Sequence, residues 1–145
     1  MNEHAEDSDE HCIFCKIIRG EIPCSKIFEN DRVLAFLDIG PAARGHALVV
    51  VKAHAATLSD VPETSGNALL SALQKVGRAV MEECGATGFN CVQNNFPSAG
   101  QVVPHVHWHV IPRFDEDELF SIPAGQYSST KEMQLLAAAV EKRII

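Results

Sequence analysis

Three kinds of hydrophobic pattern run along this chain, and each predicts a different element. Over 12–19, Ile13, Phe14, Ile17 and Ile18 recur at helical spacing, with Gly20 as a stop. Residues 26–29 and 33–38 read as two strands around an Asn30-Asp31 turn, and 41–45 as a loop. The stretch 46–52 holds Leu48, Val49, Val50 and Val51 in succession; a strand apolar on both faces belongs in the middle of its sheet. From about residue 64 to 84 a helical stripe carries Leu69, Leu70, Leu73, Val76, Val80 and Met81, and Gly85 closes it. Residues 89–93 read as a strand, 94–100 as a polar loop, 102–112 as a strand and 130–142 as a last helix. Helices and strands do not alternate as in a parallel array. The fold class expected is α+β, with one antiparallel sheet of about five strands and one long helix.

Within 102–112, His105, His107 and His109 alternate with Val106, Trp108 and Val110. On an extended strand the period of 2 sends the imidazoles to one face, roughly 6.6 Å apart, and the apolar residues to the other. Histidine makes up 7 of 145 residues. Chance would set three at i, i+2 and i+4 in roughly one window in ten thousand, given that period-2 template. Imidazoles buried side by side cannot all be charged, so the row is costly to keep. Imidazole serves as base, acid, nucleophile or metal ligand. The preceding loop, Asn94 to Gln101, adds amides, a hydroxyl and Gly100. Backbone N–H groups at such a glycine make a cradle for a phosphate or an oxyanion.

Composition narrows the partners. A chain of 145 residues fits one domain with a real core, and a formal charge of -7 argues against a nucleic-acid partner. Residues 1–11 read as a disordered acidic tail, and 12–145 as a single domain. No targeting signal is visible, and the longest apolar run, 47–51, is too short for a bilayer. A cytoplasmic protein with no membrane partner is expected. Cys12, Cys15, Cys24, Cys84 and Cys91 are odd in number and lack disulfide-framework spacing. Cys12 and Cys15 lie one helical turn apart, as metal ligands, redox thiols or core thiols would. The other three read as core thiols.

His105-Val106-His107-Trp108-His109-Val110-Ile111 resembles the motif of the histidine-triad (HIT) superfamily. The resemblance extends to Ala99-Gly100-Gln101, Pro112-Arg113, Ile13-Phe14, Ile17-Ile18-Arg19-Gly20-Glu21-Ile22-Pro23, Phe36-Leu37-Asp38-Ile39 and Gly45-His46. It is strongest to the Hint-like and bacterial Hit-like nucleotide hydrolases and ends near residue 114; the helical tail 115–145 matches nothing in it.

The resemblance implies a HIT-type fold and an activity. His107 would attack the α-phosphorus of a purine nucleoside phosphoramidate or a related mononucleotide derivative. Water would then hydrolyse the nucleotidyl-imidazole. His109 would contact the phosphate and help manage protons, with His46 beside the triad. Asn94 would meet the phosphate side, Gly100 and Gln101 would cradle it, and Asp38 would accept from ribose hydroxyls. Ile13, Phe14, Ile17, Phe36 and Ile39 would form the purine slot. Val102 stands in the nucleotide site where the Hint branch commonly has a serine that donates to the phosphate or leaving group. The resemblance also implies a homodimer and a closed structural zinc on Cys12, Cys15, His54 and His105. Three rivals stand beside this reading: dinucleoside-polyphosphate hydrolysis by the same His107, metal-dependent hydrolysis, and a purine-nucleotide-binding scaffold with weak activity.

Overall fold

The computed structural model describes residues 8–144. The elements follow in the order α1 (Ile13–Ile18), β1 (Lys26–Glu29), β2 (Val33–Leu37), β3 (Ala47–Val51), α2 (Gly66–Cys84), β4 (Gly88–Gln93), β5 (His107–Arg113) and α3 (Thr130–Glu141). Single 3-10 turns lie at Leu58–Asp60, Glu63–Ser65 and Pro97–Ala99. The five strands form one sheet in the order β1-β2-β3-β5-β4, antiparallel throughout.

β3 is central, and all five of its residues are buried, as its unbroken apolar run requires. Its two faces serve two cores. Val49 and Val51 join Val33, Ala35, Trp108 and Val110 against Leu69, Ala72, Val76 and Val80 of α2. Leu48 and Val50 join Leu34 and Phe36 on the other face, against Phe14 and Cys15 of α1. In register, Val50 faces His107 and Leu48 faces His109, whereas Val49 faces Trp108. The two imidazoles therefore stand on the α1 face while the tryptophan fills the α2 core.

Two expectations need correction. The histidine strand begins at His107, not at residue 102. Val106 gives its N–H to the Ala55 carbonyl at 2.7 Å, a loop contact that replaces strand pairing. On α2 the buried line is Leu69, Ala72, Val76, Gly77 and Val80, and Leu70 is 58% exposed. Spacing of three and four residues keeps the first set on one face, and Leu70 lies about 100° round from Leu69. Gly77 is in that line because a Cβ there would come within 2.6 Å of the Phe89 ring.

Residues 1–7 of the expected acidic tail lie outside the described residues. Residues 8–11 turn back on α1: the Cys12 N–H donates to the Asp9 carbonyl (3.3 Å), and the His11 N–H to Asp9 Oδ1 (2.7 Å). Past β5, Arg113 grips Asp117 through Nε and Nη2 (2.7 and 2.6 Å). α3 is capped by the Ser129 side chain, which accepts from the Glu132 N–H, and has no buried residue. Among the described residues no helix is long and apolar enough to cross a membrane.

Candidate active site

His107 and His109 project from β5 with ring centroids 5.0 Å apart. His107 Nδ1 lies 2.7 Å from the carbonyl oxygen of His105. A carbonyl only accepts, so Nδ1 carries the proton and the lone pair sits on Nε2. That is the tautomer a nucleophilic imidazole needs.

His109 is fixed by a second chain of bonds. The Ala42 N–H donates to His46 Nδ1 at 3.0 Å, so the His46 proton is on Nε2. That nitrogen lies 2.9 Å from His109 Nδ1 and 3.4 Å from Asp38 Oδ2. His109 Nδ1 accepts, which leaves its own proton on Nε2. Asp38 Oδ1 is held by the Gly40 N–H at 2.8 Å. Burial lowers the His46 pKa, against the pull of Asp38. Burial, reinforced by His107 and His46, brings that of His109 down to about 4. Crowding and burial thus act against the charged form of His46 and His109.

His105 lies just outside the ladder and turns away from its two neighbours. Its Nε2–H donates to the Val51 carbonyl at 2.7 Å, and its Nδ1 faces Cys12 Sγ at 3.3 Å and Cys15 Sγ at 3.6 Å. His54 Nδ1 lies 3.3 Å from Cys15 Sγ. One donor atom from each of Cys12, Cys15, His54 and His105 lies within 4.8 Å of the others, a set able to hold a metal ion. Burial pushes the Cys12 thiol up and the His105 imidazole down, to about 4.

The loop beside the histidines is over-determined. Phe96 takes φ +70°, rare for a side chain of its size. Its N–H donates to Gln101 Oε1 (2.8 Å), and Gln101 Nε2 donates to the Ala56 carbonyl (2.7 Å). The Gln101 side chain is thus spent on the loop, and so are the N–H groups expected to cradle a phosphate: that of Gly100 donates to the Pro97 carbonyl (3.0 Å) and that of Gln101 to the Phe96 carbonyl (3.2 Å). Asn94 Nδ2 lies beside Gly100, 3.6 Å from where a Cβ would stand.

The expected slot residues divide. Phe14 and Phe36 are buried edge-to-face at 5.8 Å, and Ile17 packs against them. Ile13 is half exposed, Val102 is 90% exposed and Ile39 is 102% exposed, so neither Ile39 nor Val102 packs into a wall. The sequence reading missed four groups: the Val51 carbonyl, the Ala42 N–H, Gln93, whose side-chain amide pairs with that of Asn95 under the loop, and Asp9, whose Oδ2 lies 3.9 Å from His54 Nε2. Two are backbone groups, which no residue pattern marks.

The site is a sheet face bearing paired imidazoles, His107 with its lone pair on Nε2 and His109 with its proton on Nε2, an arrangement able to accept at one ring and donate at the other. The HIT domain pattern matches residues 19–116, and the chain belongs to the HIT family. It is 40% identical to an adenosine 5'-monophosphoramidase of Schizosaccharomyces pombe, over 92% of this chain and 98% of that protein. It is 38% identical to an adenylylsulfatase of Arabidopsis thaliana, over 92% of this chain and 69% of that one. Among solved structures, a HIT family member from Bacillus subtilis superposes with a TM-score of 0.86 at 35% identity, covering 94% of this chain and 99% of that one. A zinc-bound histidine triad family protein from Mycobacterium smegmatis gives 0.71 at 35%, covering 91% and 94%. The fold is the HIT-type fold, and the chain is a hydrolase of the histidine-triad type.

Proposed function

We propose that this hydrolase cuts at the α-phosphate of purine nucleoside phosphoramidates or related adenylyl derivatives, through a nucleotidyl group carried on His107. The observation that carries the reading is the 2.7 Å hydrogen bond from His107 Nδ1 to the His105 carbonyl. It leaves Nε2 free to bond to phosphorus. It also holds the positive charge that the ring acquires as that bond forms. The bond from phosphorus to the leaving nitrogen breaks, and the amine departs with a proton from water. A second water then frees His107. His109 Nε2–H would donate to a phosphoryl oxygen, with the Asn94 amide on the other side. Ile13, Ile17, Phe14 and Phe36 would receive the base, Asp38 the ribose. The names of the relatives above support an adenylyl substrate with a variable leaving group.

Cys12, Cys15, His54 and His105 would hold a zinc ion, whose role would be structural, because four protein ligands leave no open position. Two thiols and two imidazoles are the donor set zinc prefers, and the zinc-bound mycobacterial relative supports the choice. The reading includes a homodimer in the cytoplasm. Exposed Phe120, Ile122, Leu135 and Val140 support a partner surface on the tail, and five free thiols support a reducing setting.

His107→Asn is the test. Turnover of an adenosine phosphoramidate should fall more than about 10³-fold while adenylate affinity stays within a few-fold, and rapid mixing should trap an adenylyl adduct in wild type only. Turnover in the variant within tenfold of wild type would end the proposal.

A further inference from the structure

His105 belongs to two constellations at once. Its ring is held between the Val51 carbonyl at 2.7 Å and the thiols of Cys12 and Cys15. Its backbone oxygen accepts the His107 Nδ1 proton. The peptide between the two histidines is not in the sheet ladder, which begins at His107. The His105 carbonyl is flanked on one side by the Val106 N–H bonded to Ala55 and on the other by a ring anchored on the Val51 carbonyl and the two thiols. A second path joins the same groups. α1 has only six residues, with Cys12 at its cap and Cys15 in its first turn. Phe14, between them, stands edge-on to His105 at 5.8 Å and to His107 at 5.1 Å. Anything that fixes the thiols therefore fixes both the carbonyl that holds the nucleophile's proton and the ring that packs on the nucleophile.

We infer that Cys12, Cys15, His54 and His105 are positioning residues for His107: when these four side chains hold a zinc ion, the His105 carbonyl is locked where it keeps the His107 proton on Nδ1 and the lone pair on Nε2. The inference rests on the proposed role of His107 for its effect on rate, but the tautomer is readable without any substrate. The metal set thus selects the reactive form of a ring it never touches. When it is empty, the His107 proton divides between the two nitrogens, and the fraction carrying it on Nε2 cannot attack.

The experiment uses the full chain labelled with ¹⁵N-histidine, with His107 assigned from the His107→Asn spectrum. Imidazole nitrogen spectra are recorded for zinc-loaded wild type, His54→Ala and His54→Cys. His54 is chosen because it lies neither on α1 nor on the segment joining His105 to His107, with a side chain 24% exposed. In loaded wild type, His107 should show a single Nδ1–H form. In His54→Ala it should show both tautomers, with kcat down about tenfold or more and KM changed less than about threefold. His54→Cys, which restores a fourth ligand, should restore both readings. If His54→Ala does not fold, wild type at half-stoichiometric zinc gives loaded and unloaded His107 signals side by side, and the same split is expected. A single Nδ1–H form in every folded state, with or without zinc, overturns the coupling. So does a changed tautomer that leaves kcat untouched. A zinc-dependent tautomer in a protein that never traps an adduct would sink the nucleophile reading alone.

Discussion

At the scale of single residues, the site is built by giving each imidazole one bond that settles where its proton sits. The Val51 carbonyl does this for His105, the His105 carbonyl for His107, and the Ala42 N–H for His46, which then decides His109. The triplet of histidines was legible from its spacing, and His46 came from the family resemblance. The groups that set their tautomers were not, because a peptide carbonyl looks the same in every sequence. Gly45 makes a comparable point. It sits at φ +95°, and a Cβ there would come 2.4 Å from Cys84 Sγ, with Pro112 and Val80 also in contact range. Backbone strain and overlap act together, so Gly45→Ala should cost about 2 kcal/mol or more, read as a lowered midpoint in urea. An unchanged midpoint would show that the turn before His46 is looser than described.

At the scale of elements, hydrophobic periodicity located every strand and helix, and it erred where packing outlasts hydrogen bonding. His105 and Val106 continue the alternating pattern of β5 in sequence, and both are fully buried, yet the Val106 N–H goes to a loop carbonyl. Alternation records which side chains are inside; it does not record which backbones are paired. The stripe of α2 erred differently: Leu70 is as apolar as Leu69 but points to solvent, and small Ala72 and Gly77 fill the inner face. Leu69→Ala should therefore cost about 2–4 kcal/mol, whereas Leu70→Ala should stay within about 0.5 kcal/mol in the monomer. Denaturation of the two variants side by side checks this, and equal costs would contradict the placement of α2. The four candidate metal ligands show the reach of spacing: two thiols one turn apart were visible, but His54 and His105 came only through the resemblance, since they lie 39 and 90 residues from Cys15.

At the scale of the whole molecule, the sheet acts as a partition. β3 and β5 turn Val49, Trp108 and Val110 into one core and hold His107 and His109 over the other, so folding and site assembly are one event. The depressed pKa values of His109 and His46 then become a property of the folded state. His109 titrates near its ordinary 6.5 when unfolded and at about 4 when folded, and burial shifts His46 in the same direction. Between those values the unfolded chain binds more protons than the native one. Stability should be complete above about pH 6.5 and decline as pH falls toward 4. Denaturation at pH 7 and pH 4.5 measures the decline, and His109→Gln should show less of it; an identical pH dependence in the variant would contradict the assignment.

The central claim is that phosphorus passes through a covalent stage on His107. Its most direct test is the stereochemical course of hydrolysis, using an adenosine phosphoramidate analogue made chiral at the α-phosphorus with sulfur and hydrolysed in isotopically labelled water. Two successive in-line displacements, the first by His107 Nε2 and the second by water, predict retention of configuration. Inversion would mean that water attacks directly, and the account would be wrong at its core.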